Sequence, residues 1–370
     1  MELFPSLDPI PLPAPVWLFK ALHSLTLALH FVSVHFLVGG LALAIVWAFL
    51  GRARKDSTLL NASGLVVHRL PIVMTYVINL GVPPLLFTQV LYGRALYTST
   101  VLIGVWWISV IAMLIISYSF LYIMSVRADA GKASGWAGLI ALIVVLKIGF
   151  IYTNNMTLML RPEVWVSMYR ESPYGLQLAN GDPTIMPRWL FMMLGSVGVT
   201  GIALAFLSMK KDLDAPVSQF LRIWGGRLLA AFTIVQILLG VWVLRSQPDA
   251  VRSGLFSGAF YPVLIGVWVV TAVAVAVVGA LIAVRGFRGW TVPSSVSAFA
   301  IVNIAAMVLV RDGIRDIALA SKGFDVWAQP VVTNWGTVIV FVLCLVLALA
   351  VMGWLISVVA RAKPVSERYA

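Results

Sequence analysis

The sequence predicts an all-α integral membrane protein of about nine transmembrane helices, with the N-terminus outside and the C-terminus cytoplasmic. Three observations carry this. Of 370 residues, 61% are hydrophobic and 11% charged, whereas ordinary soluble domains run about 45–50% apolar and 25% charged. Nine apolar stretches are each long enough to cross the ~30 Å hydrocarbon layer, which takes about 20 helical residues. The basic residues collect in alternate links between those stretches, as the positive-inside rule describes. A chain this apolar lacks the polar surface of a soluble enzyme, a nucleic-acid module or a disordered regulator. Its net charge of +12 is therefore a topology signal and implies no nucleic-acid partner.

The stretches fall at roughly 17–50, 70–93, 102–125, 135–158, 188–209, 220–244, 261–284, 293–311 and 334–360. They form one polytopic domain, 17–361, preceded by an external segment, 1–16, and followed by a cytoplasmic tail, 362–370. The first stretch would span about 50 Å at ~1.5 Å per residue, so it must tilt or project from the bilayer. The second contains Gly81-Val82-Pro83-Pro84, which removes two backbone donors and predicts a kink or break. The N-terminal segment holds Glu2, Asp8 and five prolines before Val16 and has no basic region, unlike a signal peptide.

The links after the first, third, fifth and seventh stretches, with the C-terminal tail, carry 15 basic and five acidic residues. The other side carries nine of each. The basic side is expected in the cytoplasm. The longer connections, 159–187, 245–260 and 312–333, lie on the outer side, where a soluble partner would find loops on a rigid scaffold.

Polar groups inside a bilayer are costly and default to a functional role. His23 and His30 are two turns apart on one face of the first span, and His35 lies about 140° around from His30. Gln89, Asn154 and Asn155, Arg188, Gln236, and the Arg311/Asp312/Arg315/Asp316 cluster fall in the outer halves of five further spans. Six spans thus direct polar residues toward one leaflet and predict a single site near the outer surface. Arginine and amide side chains suit quinone oxygens because they donate hydrogen bonds without titrating. A histidine suits haem iron, and His30 is the candidate metal ligand. Blander roles are open to each: a packed histidine for His30, helix-gluing amides for Asn154 and Asn155, a charged helix end for the Arg311 cluster. The inner half offers only Asn79, Lys147 near mid-membrane and His68 at the cytoplasmic end of the second span. No two histidines lie at equal depth on different spans, which argues against a bis-histidine cytochrome b, while thirteen methionines leave a His/Met site open. A single cysteine excludes a disulfide framework and covalently attached c-type haem.

Several segments carry a resemblance. The first span, reading His30-Phe31-Val32-Ser33-Val34-His35-Phe36-Leu37-Val38-Gly39, resembles the haem-histidine segment of the first helix of the cytochrome bd quinol oxidase large subunit. Gly81-Val82 followed by Phe87-Thr88-Gln89-Val90-Leu91-Tyr92-Gly93 is similar in glycine spacing to that family's segment after its second crossing. The stretch Tyr152-Thr153-Asn154-Asn155-Met156-Thr157-Leu158-Met159-Leu160-Arg161-Pro162 resembles its asparagine-containing run before an external loop, and Arg188 opening the fifth span matches too. The resemblance covers roughly the first 210 residues. It departs where the oxidases carry a proton-handling glutamate and this chain has Gln89. It departs again where they carry a haem histidine and this chain reads Arg188-Trp189-Leu190-Phe191. The long quinol-binding loop between spans six and seven is reduced to about 16 residues. Only His30 carries over as a haem ligand, so oxygen reduction does not follow from the resemblance. The Gly-Val-Pro-Pro, Asn-Asn-Met-Thr-Leu-Met-Leu and Gly181-Asp182-Pro183-Thr184 segments also resemble bd-like bacterial membrane proteins associated with multihaem c-type cytochromes.

What the resemblance implies is a subunit of a respiratory electron-transfer complex in the bacterial inner membrane, linking the quinone pool to periplasmic haem proteins and possessing a quinol or haem b site. Its expected partners are a multihaem c-type cytochrome or another periplasmic redox subunit in a hetero-oligomer, with lipid and quinone. Its enzymatic part would be quinol oxidation. Two other readings compete: a secondary transporter, suggested by the broken second span and Lys147, and a cofactor-free anchor of a redox complex, suggested by Phe191.

Overall fold

The computed structural model describes residues 3–5 and 11–361, and these are helical almost throughout. In chain order the helices are α1 (Val16–Arg54), α2 (Ser57–Val67), α3 (Leu70–Leu102), α4 (Gly104–Asp129), α5 (Gly135–Leu158), α6 (Trp165–Glu171), α7 (Ile185–Leu207), α8 (Ala215–Arg245), α9 (Asp249–Phe256), α10 (Phe260–Arg285), α11 (Thr291–Ala320) and α12 (Trp335–Arg361). Among the described residues, nine segments are long and apolar enough to cross a membrane: α1, α2 with α3, α4, α5, α7, α8, α10, α11 and α12. The protein is an all-helical, multi-pass integral membrane protein. The tail 362–370 lies outside the described residues.

At 39 residues, α1 is about 58 Å long and outreaches the hydrocarbon layer. It stops at Lys55, which adopts the left-handed conformation (φ 55°). Asp56 then starts α2, its carboxylate accepting from the N–H groups of Thr58 (2.8 Å) and Leu59 (3.3 Å), an N-cap that satisfies two otherwise free donors. The prolines of α3 behave differently from expectation. Helical geometry persists through Pro83 and Pro84, and the one non-helical residue is Tyr92 (φ −129°, ψ 25°). Other carbonyls of this stretch take side-chain partners: Pro84 O accepts from Thr88 Oγ1 (2.8 Å), and Val77 and Pro84 each meet a histidine of α1. After Tyr92 the helix continues to Leu102, leaving only Ile103 before α4.

Small residues set the packing. A Cβ on Gly39 would lie 2.3 Å from Ser196 O, one on Gly201 would lie 2.4 Å from Gly225 O, and one on Gly226 would lie 2.5 Å from Gly279 O. Helices α1 and α7, α7 and α8, and α8 and α10 therefore meet backbone to backbone, the usual solution where lipid supplies no hydrophobic drive between helices. Among the described residues, the two largest buried clusters lie at opposite ends of the bundle. One cluster, including Leu91, Leu96, Ile151, Trp165 and Leu319, lies at the end of the bundle where α1 begins. The other, including Leu41, Val66, Leu70, Met124 and Leu204, lies at the opposite end. A cavity lined by members of both clusters, Leu160 and Ile314 of the first and Leu37 and Met74 of the second, opens between the helices.

The connections at the first end are folded. They contain α6 and α9, and Leu12 pairs with Val331 in a β-bridge flanked by Leu12 N–H to Pro330 O (2.8 Å) and Val332 N–H to Leu12 O (2.9 Å). Arg161 is joined to Asp182 and Glu163, and Lys322 Nζ reaches Glu163 Oε2 (2.5 Å), clasping the 159–184 connection to the end of α11. Helix α12 stands largely exposed, touching the body through Phe341 against Phe87 (5.5 Å), as lipid contact allows.

Candidate cofactor site

The cavity has a volume of about 440 Å³, within the roughly 300–1,000 Å³ of small-molecule sites. Its walls come from α1, α3, α4, α5, α7, α8, α10 and α11. It occupies the half of the bundle nearer the N-terminal end, because it meets the beginning of α7 (Arg188 to Met193) and the last turns of α8 and α11. The lining is apolar and rich in methionine, including Met74, Met156, Met192 and Met307. Five basic or imidazole side chains interrupt it: His23, His30, Arg188, Arg311 and Arg315.

The two histidines are committed differently. Arg315 Nη2 donates to His23 Nε2 (3.0 Å), while His23 Nδ1 lies 3.1 Å from Pro84 O. A neutral ring protonated at Nδ1 satisfies both contacts, so neither nitrogen is left over. His30 Nδ1 donates to Val77 O (3.1 Å), and its Nε2 has no partner among the described residues. The ring has room because residue 81 is glycine: a Cβ there would lie 2.9 Å from His30 Cε1. An imidazole held through Nδ1–H by a backbone carbonyl, with its other nitrogen free, is the usual arrangement of a metal-binding histidine. The third histidine of α1, His35, is fully buried, its nitrogens have no partner among the described residues, and it does not line the cavity.

Beside His23 lies a charge network. Lys20 Nζ is 2.5 Å from Asp312 Oδ2, 2.5 Å from Asp316 Oδ2 and 2.7 Å from the Tyr92 hydroxyl. That hydroxyl donates to Asp316 Oδ1 (2.6 Å). Arg315 Nη2 meets Asp312 Oδ1 (3.2 Å), and its guanidinium lies 4.6 Å from the centre of the Tyr92 ring. Two cations and two carboxylates balance, and Tyr92 is wholly buried.

Arg188 and Arg311 are not balanced. Arg188 donates to two neutral oxygens, Thr157 Oγ1 (3.2 Å) and Gln247 Oε1 (2.9 Å). Arg311 makes no hydrogen bond or ion pair among the described residues and lies over the Phe31 ring at 5.6 Å. Both lie inside the bundle on the cavity wall. The cavity thus carries two guanidinium charges that no carboxylate on its walls neutralises.

Of the residues expected to share a site, His23, His30, Arg188 and Arg311 line this cavity, and Gln89, Asn154, Asn155 and Gln236 do not. Asn154 donates to Phe150 O (3.1 Å), and Asn155 donates to Thr100 Oγ1 (3.1 Å). Gln236 packs against Gly195, where a Cβ would lie 2.6 Å from its Nε2. Lys147 lies over the Trp106 ring at 4.3 Å. The sequence reading missed Tyr92, Gln247 and Lys20. Lys20 had a signal: one cation at the outer end of the first span and two carboxylates at the outer end of the eighth, at matching depth.

Fold and site together define a multi-pass helical membrane protein with a cation-rimmed cavity between its helices toward one face. No protein-family model and no curated protein matches the sequence. Among solved structures, the fold matches the bd oxidase from Geobacillus thermodenitrificans with a TM-score of 0.71, over 96% of this chain and 100% of that chain, at 13% identity. The chain has the architecture of a bd oxidase subunit on a divergent sequence.

Proposed function

We propose that this protein is the membrane subunit of a bacterial respiratory electron-transfer complex and that its cavity holds one b-type haem with His30 as an iron ligand. The observation that carries the proposal is the pairing, in one cavity, of a histidine with a free Nε2 and two guanidinium charges without anions. Unpaired ionised groups away from water are strongly unfavourable; scales of helix insertion give about 2.5–3.5 kcal/mol for one at mid-span. A neutral quinol leaves that charge in place. A haem brings two propionates, and Arg188 and Arg311 would hold them through charge-assisted hydrogen bonds. The group fits the residues present: Gly81 leaves space for the His30 ring, and Val77 O fixes its orientation. When bound, such a haem supplies reversible one-electron transfer.

The remaining residues hold the site. His23 and Asp312 fix Arg315 on the cavity wall, and Gln247 and Thr157 aim Arg188. The methionine-rich lining would give the group an apolar surround, and its thioether sulfurs would be available as further donors to the iron. In this reading quinol in the membrane is the electron donor. A multihaem c-type cytochrome, or another external redox subunit, docks over α6, α9 and the 321–334 connection. The N-terminal face is then periplasmic and the basic face cytoplasmic. The fold shared with a bd oxidase supports the respiratory assignment.

Stopped-flow mixing of the purified protein with a water-soluble quinol tests the proposal. Reduction of a bound chromophore at a rate that saturates with quinol is expected. A chromophore that dithionite reduces and quinol does not would refute quinol as donor.

A further inference from the structure

A second pocket opens at the other end of the bundle, on the face where the basic links gather. It has a volume of about 650 Å³ and lies between the start of α8 and the link from α10 to α11, with Ser218, Gln219, Arg222, Met209, Phe287 and Trp290 on its walls. Among the described residues no carboxylate lines it. Arg222 forms no ion pair among the described residues, and its Nε is buried without a hydrogen-bond partner. The guanidinium rests on Gly286, a left-handed residue (φ 68°) whose missing side chain leaves the space it occupies. The two serine hydroxyls nearby are spent on carbonyls: Ser208 Oγ donates to Ala205 O (2.7 Å), and Ser218 Oγ donates to Ser208 O (2.6 Å). Arg222, the Gln219 amide and the Trp290 indole N–H are therefore the side-chain donors left to a ligand, and of these Arg222 alone is charged. The link from α7 to α8 sets Lys210 and Lys211 against Asp212 and Asp214, with Lys210 3.6 Å from Asp212, and Arg288 stands in the link from α10 to α11, so the mouth carries one basic residue in excess beside Arg222.

The apolar side of the pocket shows where the ligand comes from. Trp290 is 68% exposed and lies 5.7 Å, ring to ring, from Phe206 of α7. With Met209 and Phe287 it forms a wall level with the helix ends, the depth at which tryptophan marks a membrane interface. A free inorganic anion has no use for that wall. An acyl chain does.

We propose that this pocket binds the phosphate of an anionic phospholipid, with Arg222 and Gln219 as its donors and Met209, Phe287 and Trp290 against the upper part of an acyl chain. Basic pockets between membrane helices on the positive side are suited to such headgroups.

The test is native mass spectrometry of the full chain, delipidated in detergent and titrated with phosphatidylglycerol or with phosphatidylcholine. Wild type should retain one phosphatidylglycerol more tightly than phosphatidylcholine. R222Q should lose that preference by about five-fold or more, the effect of one basic group at a membrane surface. Q219E places a carboxylate in the pocket without changing its shape and should do the same, which keeps the test valid if R222Q does not fold. R227Q, whose guanidinium lies over Trp224 away from the lining, should behave as wild type. Equal retention in wild type, R222Q and Q219E would overturn the proposal. Displacement of the lipid by millimolar inorganic phosphate would overturn the phospholipid as source and make the site one for a free anion. Chromophore content should be unchanged in each variant, since the two pockets lie at opposite ends of the bundle.

Discussion

Replacing Lys20 by methionine keeps the length of the side chain and removes one charge from a balanced buried group. Two carboxylate oxygens, on Asp312 and Asp316, lie 2.5 Å from Nζ, and all three side chains are 13% exposed or less. In the variant, Asp312 keeps Arg315, while Asp316 keeps only the Tyr92 hydroxyl. Leaving one partner of a buried pair uncompensated costs about 3–5 kcal/mol. K20M should therefore lose stability by that amount in unfolding by a denaturing detergent, followed by tryptophan fluorescence. D316N removes the same attraction from the other side. The double variant K20M/D316N restores the charge balance and should be more stable than the sum of the two losses predicts, with a coupling of about 2 kcal/mol, inside the range for residues in one network. Additive losses, with coupling under about 0.5 kcal/mol, would refute the view that these three groups act as one balanced unit.

Three further outcomes follow from other parts of the molecule. G39A places a Cβ 2.3 Å from the Ser196 carbonyl oxygen, which must push α1 and α7 apart; the cost should be about 1–3 kcal/mol, read in the same unfolding assay. G81A drives a methyl against the His30 ring and should lower haem retention, measured as haem per chain, while leaving the protein folded. The Glu163 clasp gives a pH dependence. Burial alone would raise this carboxyl, but hydrogen bonds from Lys322 and Arg161 outweigh it and hold the group below its ordinary value. Its contribution is then complete above the unfolded value near about 4.3 and fades as pH falls through the lower folded value. Limited proteolysis of the 159–184 connection should distinguish E163Q from wild type at pH 6, and the difference should vanish at the acid end.

Depth was legible in the sequence, and direction around the helix was not. Hydropathy and the charge of the links placed nine spans and put His23, His30, Arg188 and Arg311 in one half of the bundle. Which side of a helix meets a cavity depends on how the helices are rotated against one another. An apolar span that buries itself on several sides carries no stripe to reveal that. Consecutive residues of α5 show the limit: Thr153 and Met156 line the cavity, whereas Asn154 and Asn155 between them turn to Phe150 O and Thr100. The same limit hid Tyr92, which meets Asp312 and Asp316 across more than 200 residues of chain. The prolines misled as well. The pattern Gly81-Val82-Pro83-Pro84 predicts a break from lost donors, but helical geometry persists through both prolines and the irregular residue falls at Tyr92.

The central claim is that His30 and the two unpaired arginines hold a haem, and the reduced-minus-oxidised optical spectrum of the purified protein tests it most directly. Wild type should show a b-type band corresponding to one haem per chain. H30A should lose it, R188Q/R311Q should retain it in reduced amount, and H23A should keep His30 ligation. A wild type without the band, or an H30A variant with the band unchanged, would contradict the account.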